Sequence, residues 1–257
     1  MTKPTLQIFT DPAELSQAAA QYFLQIADEA VAARGRFSVT LSGGRTPEAL
    51  YRLLSQFPFD REVSWPQTHV FWGDERLVAP DEPGSSYGRA AKLWLNRVAI
   101  PAENVYRAQG ELEPAVAIAD YTNQLRDFSI GQRRWPRFDL VLLGLGSDGH
   151  TASLFPGPVT PQETQEPVMA VTADYEGRPA HRLTLTPPVF NDARHVIFLV
   201  AGEKKADALA AVLQGPHNPE HWPAQRIQPQ NGSVIWLVDK AAASRLNKPS
   251  SRLEIGD

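Results

Sequence analysis

An aspartate and a histidine two residues apart, Asp148 and His150, stand in a glycine-rich turn, GLGSDGHTASLFPG, directly after an apolar run. A histidine has a reference pKa of about 6.5, so an imidazole in such a turn can take and return a proton near neutral pH. Three further places could serve an acid–base centre. SGGRTPEALY, residues 42–51, turns on Gly43 and Gly44 toward Thr46, an expected N-cap, and Pro47 at a first helical position. The Gly43, Gly44 and Arg45 amides would then meet an anion at a helix N-terminus, with Arg45 or Thr46 adding donors. WGDER presents Asp74, Glu75 and Arg76 in succession, either a solvated turn or a charged rim, and SSYGRA follows with serines able to cap a helix or touch a ligand. Arg182 and Lys204 follow as isolated cations, Arg182 beside an apolar run and Lys204 at the start of an expected helix, where the helix dipole disfavours a cation unless an anion is bound.

The elements that must carry these residues are legible as alternating patterns. Strand-like runs occur at 6–10, 37–42, 68–72, 138–143, 168–172, 195–201 and 233–238. Helical patterns are expected at 47–56, 87–97, 114–128, 187–192, 203–213 and 239–246. The first helix opens with Asp11 as N-cap, Pro12 at its first position and Glu14 completing a capping box, and Leu15, Ala19, Tyr22, Ile26 and Ala30 mark its buried side. The alternation predicts an α/β fold: a mainly parallel, doubly wound, Rossmann-like sheet with helices on both faces, in one domain spanning residues 1–257. Apart from Asp139, residues 138–143 are continuously apolar, as a strand covered on both sides requires. Ligands in such sheets lie past the carboxyl ends of the strands, where Asp148 and His150 fall.

Gly144, Gly146 and Gly149 spell G-x-G-x-x-G, the pattern of a dinucleotide-binding turn. Asp148 puts a negative charge where the pyrophosphate would sit, and Pro156 and Pro158 cut short the helix that should follow. Residues 157–167 read as loop, with no strand to carry a ribose-binding acid. No nucleotide cofactor is expected. The chain has no cysteine, which excludes disulfides, thiolate catalysis and cysteine-based zinc sites. His217 and His221 have helical metal-ligand spacing, but Pro219 breaks the helix between them, so no metal site is assigned. Residues 214–230 read as an ordered surface loop.

With 42% hydrophobic and 21% charged residues, the composition is that of a globular protein. A net charge of −4 gives no general attraction to nucleic acid or membrane, so an anionic ligand must be held by a local cluster. MTKPTLQIFTDP lacks the apolar stretch of a secretory leader, and a cytoplasmic location is expected.

LSGGRTPEALY, WGDER, SSYGRA, GLGSDGHTASLFP, RLTLTPP, GEKKADAL, PAQRIQP and GSVIWLVDKAAA, in that order along nearly the whole chain, resemble the 6-phosphogluconolactonase family, within the wider group that includes glucosamine-6-phosphate deaminase. The resemblance implies a cofactor-free hydrolase of the oxidative pentose phosphate pathway, opening 6-phospho-D-glucono-1,5-lactone to 6-phosphogluconate. It assigns His150 as general base and later acid, Asp148 to orienting the imidazole or the sugar hydroxyls, and Arg76 or loop amides to the oxyanion. Asp74 would bind substrate hydroxyls, and Gly43, Gly44, Arg45, Thr46, Arg182 and Lys204 would form the phosphate site. Arg45 departs from the small hydroxyl residue common in relatives, so the Gly44 amide carries more of that expectation. The deaminase branch resembles G-x-D-G-H followed five residues later by glutamate, where this chain has Phe155. A non-catalytic sugar-phosphate sensor of the same fold is a third reading, although it would need no base at position 150. A monomer or weak homo-oligomer, binding only its small phosphorylated lactone, is expected.

Overall fold

The computed structural model describes residues 3–174, 177 and 179–247, and the backbone of 254–255. In chain order the strands are β1 (Thr5–Phe9), β2 (Phe37–Leu41), β3 (Thr68–Trp72), β4 (Asp74–Arg76), β5 (Val105–Tyr106), β6 (Leu140–Leu143), β7 (Val168–Thr172), β8 (His181–Leu185), β9 (His195–Val200), β10 (Ser233–Asp239) and β11 (Glu254–Ile255). The helices are α1 (Pro12–Arg34), α2 (Arg45–Leu54), α3 (Phe59–Glu62), α4 (Ser86–Leu93), α5 (Pro114–Phe128), α6 (Pro161–Gln165), α7 (Pro187–Asn191) and α8 (Ala206–Gln214). Eight strands form one sheet in the order β11-β1-β10-β9-β6-β2-β3-β5, every neighbouring pair parallel.

The apolar run at β6 sits at the centre because both of its faces have partners. Leu140 and Leu142 point into a core shared with α1 and α2, whereas Val141 and Leu143 point into a second core shared with α5 and α8. Asp139, the one charge in that run, is buried and taken up by Arg34, Arg194 and Ser38. At α1 the Asp11 carboxylate accepts from the Ala13 and Glu14 amides, while Glu14 reaches back to the Thr10 amide. Phe23, rather than Tyr22, completes the buried stripe of α1.

Four expectations need correction. The run at 168–172 does not join the parallel sheet: β4, β8 and β7 form a separate antiparallel sheet. Residues 173–180 are too few for the crossover that a parallel neighbour requires, and β7 is exposed at alternate positions rather than buried on both sides. Thr46 is not an N-cap. Gly44, at φ +110°, is the capping residue, so α2 begins two residues earlier than expected and Thr46 lies within it. The helix expected at 239–246 is only a 3₁₀ turn over Ala242–Arg245, because the Asp239 carboxylate takes the Ala242 amide and that of Gly202. The stretch 157–167 is not all loop, since Thr160 caps the short helix α6.

Candidate active site

A cavity of about 680 Å³ opens past the carboxyl ends of β2, β6 and β9, a size suited to a small phosphorylated sugar. It lies where the chain switches direction across the sheet: β3 and β5 run outward from β2, whereas β9 and β10 continue from β6 on the other side. Of the residues singled out in the sequence, Gly43, Gly44, Arg45, Thr46, Asp74, Arg76, His150, Arg182 and Lys204 all line it.

His150 is held by a turn that its glycines make possible. The Gly146 amide donates to the His150 carbonyl at 2.7 Å, closing the loop, and the Gly149 amide donates to the Gly146 carbonyl. A Cβ on Gly146 would collide with His150 Nδ1 and Asp148 Oδ1, so only glycine lets these two side chains fold down over the turn. Gly149 has φ +81°, and a Cβ there would strike the Trp222 ring. The G-x-G-x-x-G pattern therefore has a packing cause.

Asp148 does not line the cavity. Its Oδ1 lies 2.6 Å from His150 Nδ1. Burial tends to raise the Asp148 carboxyl, but the hydrogen bond and charge of His150 outweigh it and hold the group below its usual value. A carboxylate accepting from Nδ1–H fixes the tautomer in which Nε2 carries the basic lone pair. Phe155 packs at a tilt against the imidazole, its ring centroid 4.7 Å away, and Arg182 lies over that phenyl ring at 5.3 Å.

The charges of WGDER are buried, not a solvated turn. They form β4, and strand alternation divides their roles. Asp74 and Arg76 face the cavity, and Asp74 Oδ2 accepts from Ser153 Oγ at 2.8 Å. Glu75 instead receives the amides of Arg76, Ser86 and Tyr87 and the hydroxyl of Ser85, which ties β4 to the start of α4. Burial pushes its carboxyl upward, against those amides and Arg76. The serines of SSYGRA divide likewise. Ser85 caps α4 by accepting from the Gly88 amide, and Ser86 Oγ accepts from Arg76 Nη1 at 2.9 Å.

Arg76 and Arg182 are directly opposite partners on the β4–β8 ladder, both more than nine-tenths buried. Residues so paired share one face of the sheet, and two like charges there destabilise unless a counter-charge is present. Arg76 also lies against the glycine turn, since a Cβ on Gly43 would come within 3.2 Å of Arg76 Nη1. No side chain caps α2, and Pro47 contributes no N–H, so the Arg45 and Thr46 amides are its open first-turn donors. Arg45 itself is an exposed side chain on the cavity rim. Lys204 is exposed on the opposite wall, in a 3₁₀ turn over Glu203–Lys205 rather than in the helix expected from 203.

Sequence reasoning missed the supports of this site. Ser153 is fully buried and orients Asp74, yet a serine in a loop gives no signal of that. The segment 214–230, read as surface loop, contributes Trp222 against Gly149, and Arg226, whose Nη1 donates to both carboxylate oxygens of Glu163 of α6 at 2.8 and 3.0 Å in a buried ion pair. His221 stacks edge-on with Trp222.

Residues 10–236 match the family described as glucosamine-6-phosphate isomerases/6-phosphogluconolactonase. The chain is similar to the 6-phosphogluconolactonase of Nostoc sp., with 39% identity over 247 residues that cover 95% of this chain and 99% of that one. It is similar also to the 6-phosphogluconolactonase of Synechocystis sp., with 42% identity over 85% of this chain and 88% of the relative. The solved structure of the 6-phosphogluconolactonase from Trypanosoma brucei superposes with a TM-score of 0.83 at 30% identity, covering 96% of this chain and 100% of that one.

Proposed function

The chain belongs to the 6-phosphogluconolactonase family and hydrolyses the lactone of that family, and we propose that His150 carries out the proton transfers of this ring opening. Water attacks the lactone C1 as Nε2 of His150 takes its proton, and the resulting imidazolium returns that proton to the ring oxygen as the C1–O bond breaks. Asp148 orients the ring throughout and stabilises the imidazolium. The single observation that carries this reading is the Asp148–His150 hydrogen bond at the edge of a cavity walled by cations. Backbone amides of the Gly144–Ser147 turn beside His150, other than that of Gly146, which the His150 carbonyl takes, supply the oxyanion donors, because Arg76 is packed against the Gly43 turn. Asp74, fixed by Ser153, binds sugar hydroxyls.

The phosphate is assigned to the open amides at the start of α2, with Arg76, Arg182 and Lys204 around it and Arg45 at the rim. A phosphate would add negative charge beside the paired Arg76 and Arg182. Replacing Arg182 or Lys204 by alanine is expected to lower kcat/KM for the phosphorylated lactone about tenfold to a hundredfold, the worth of one charge-assisted hydrogen bond. Unphosphorylated gluconolactone should be hydrolysed as by the parent protein. Equal losses on both substrates would put that cation at the carbonyl instead.

The family name spans two reactions, and Phe155 separates them. A phenyl ring cannot relay the proton that opens an amino-sugar ring, and here it packs at a tilt against the His150 imidazole. Glucosamine 6-phosphate is therefore expected to yield no ammonia above background in a coupled assay; steady release at a rate comparable to lactone hydrolysis would place the chain on the deaminase side. The protein is read as acting in the cytoplasm on a small phosphorylated lactone, as a monomer or weak homo-oligomer; among the described residues no helix is long and apolar enough to cross a membrane.

A further inference from the structure

A second cavity, of about 530 Å³, lies at the opposite pole of the large sheet, where the strands begin. The last turn of α1 and the starts of β6, β9 and β10 surround it with Arg34, Arg137, Arg194, His195, Glu29 and Ser233. Its charges do not balance. Arg34 and Arg194 both approach Asp139 Oδ1, at 2.8 and 3.3 Å, while Asp139 Oδ2 is already taken by the amide and hydroxyl of Ser38. Among the described residues Arg137 is held by uncharged oxygens, the carbonyls of Asp192 and Asn231. Glu29 is the remaining acid of the wall, and one of its oxygens is engaged by Gln25.

Three guanidinium groups thus face two carboxylates, and that of Asp139 is shared by Arg34, Arg194 and Ser38. Burial, and then the charges of Arg34 and Arg137, weaken the hold of Arg194 on its proton. Burial likewise lowers His195, whose ring is paired with Ser233 Oγ at 2.9 Å, so it adds no positive charge near neutral pH. Arg194 Nε is buried and faces Asp139 Oδ1 at 3.3 Å, an ion pair without hydrogen-bond geometry. Clustered like charges of this kind cost stability in the empty protein, and the fork geometry of guanidinium suits the oxygens of a phosphate.

We propose that this pocket is a second anion site, taking a small phosphate-bearing dianion between Arg34, Arg137 and Arg194, on the far side of the sheet from the lactone cavity. Its concave shape and volume favour a small molecule over a macromolecular surface. The site stands on the arginine cluster alone and does not depend on the lactonase reading.

The test is equilibrium dialysis of the full chain against radiolabelled inorganic phosphate at constant ionic strength. The parent protein is expected to bind two phosphates, one lost in Arg182→Ala and one retained. Arg137→Gln and Arg194→Gln should each weaken the retained site at least tenfold while leaving kcat for the lactone unchanged, which also verifies folding. A single phosphate on the parent protein would overturn the proposal, as would an undiminished second site in both variants. Acetate at the same ionic strength should compete poorly; displacement by acetate as effective as by phosphate would overturn the assignment to a dianion.

Discussion

Replacing His150 by alanine or asparagine is expected to lower kcat by about 10² to 10⁴, the usual worth of a general acid–base group, with little change in KM. The expectation follows from position. The imidazole lines the cavity, is held through Nδ1 by Asp148, and is packed by the Phe155 ring. It contributes to proton transfer in the transition state rather than to grip on the phosphate, which lies with the α2 amides and the cations. A variant that folds, keeps its kcat and loses affinity instead would make His150 a substrate ligand and leave the base to be found elsewhere.

Asp148→Asn is expected to be nearly as damaging, on the order of 10²-fold or more in kcat, although it changes neither shape nor cavity lining. An amide oriented to donate toward Nδ1 moves the imidazole proton to Nε2, the atom that must accept the proton of water; the corresponding exchange in a serine-protease triad, a worked case for another protein, costs about 10⁴. Histidine nitrogen NMR distinguishes this from a structural effect, since the His150 ring should change from the Nδ1–H to the Nε2–H tautomer while the amide spectrum elsewhere is preserved. An unchanged tautomer accompanied by unchanged kcat would remove Asp148 from the mechanism. Because His150 depresses the Asp148 carboxyl in the folded state, the pair's contribution to stability is present above the unfolded carboxyl's pKa. It is lost as pH falls through the lower, folded value.

Where the sequence was informative, a local physical rule was strong. The alternate-face burial of β6 and the Asp11–Pro12 start of α1 follow from periodicity and capping, and both appear where expected. The rim residues were legible because a parallel sheet sends every loop after a strand to the same end. Their separation was not. That Asp74 and Arg76 face the cavity while Glu75 anchors α4 depends on β4 becoming a strand, and its partner β8 lies a hundred residues downstream. Position 46 was misread because Thr outranks Gly as a capping residue in general, whereas a positive-φ turn leaves only glycine at position 44. The support from Trp222 and the Glu163–Arg226 pair was invisible, since it brings together two polar, proline-rich segments with no periodicity.

Catalysis of the ring opening through His150 is tested by following the loss of freshly generated 6-phospho-D-glucono-1,5-lactone against its spontaneous hydrolysis, with the parent protein and His150→Ala in parallel. Rapid, protein-dependent ring opening is expected of the parent chain, and a trace close to the uncatalysed one of the variant. A parent trace that coincides with spontaneous hydrolysis, or a variant as fast as its parent, would contradict it.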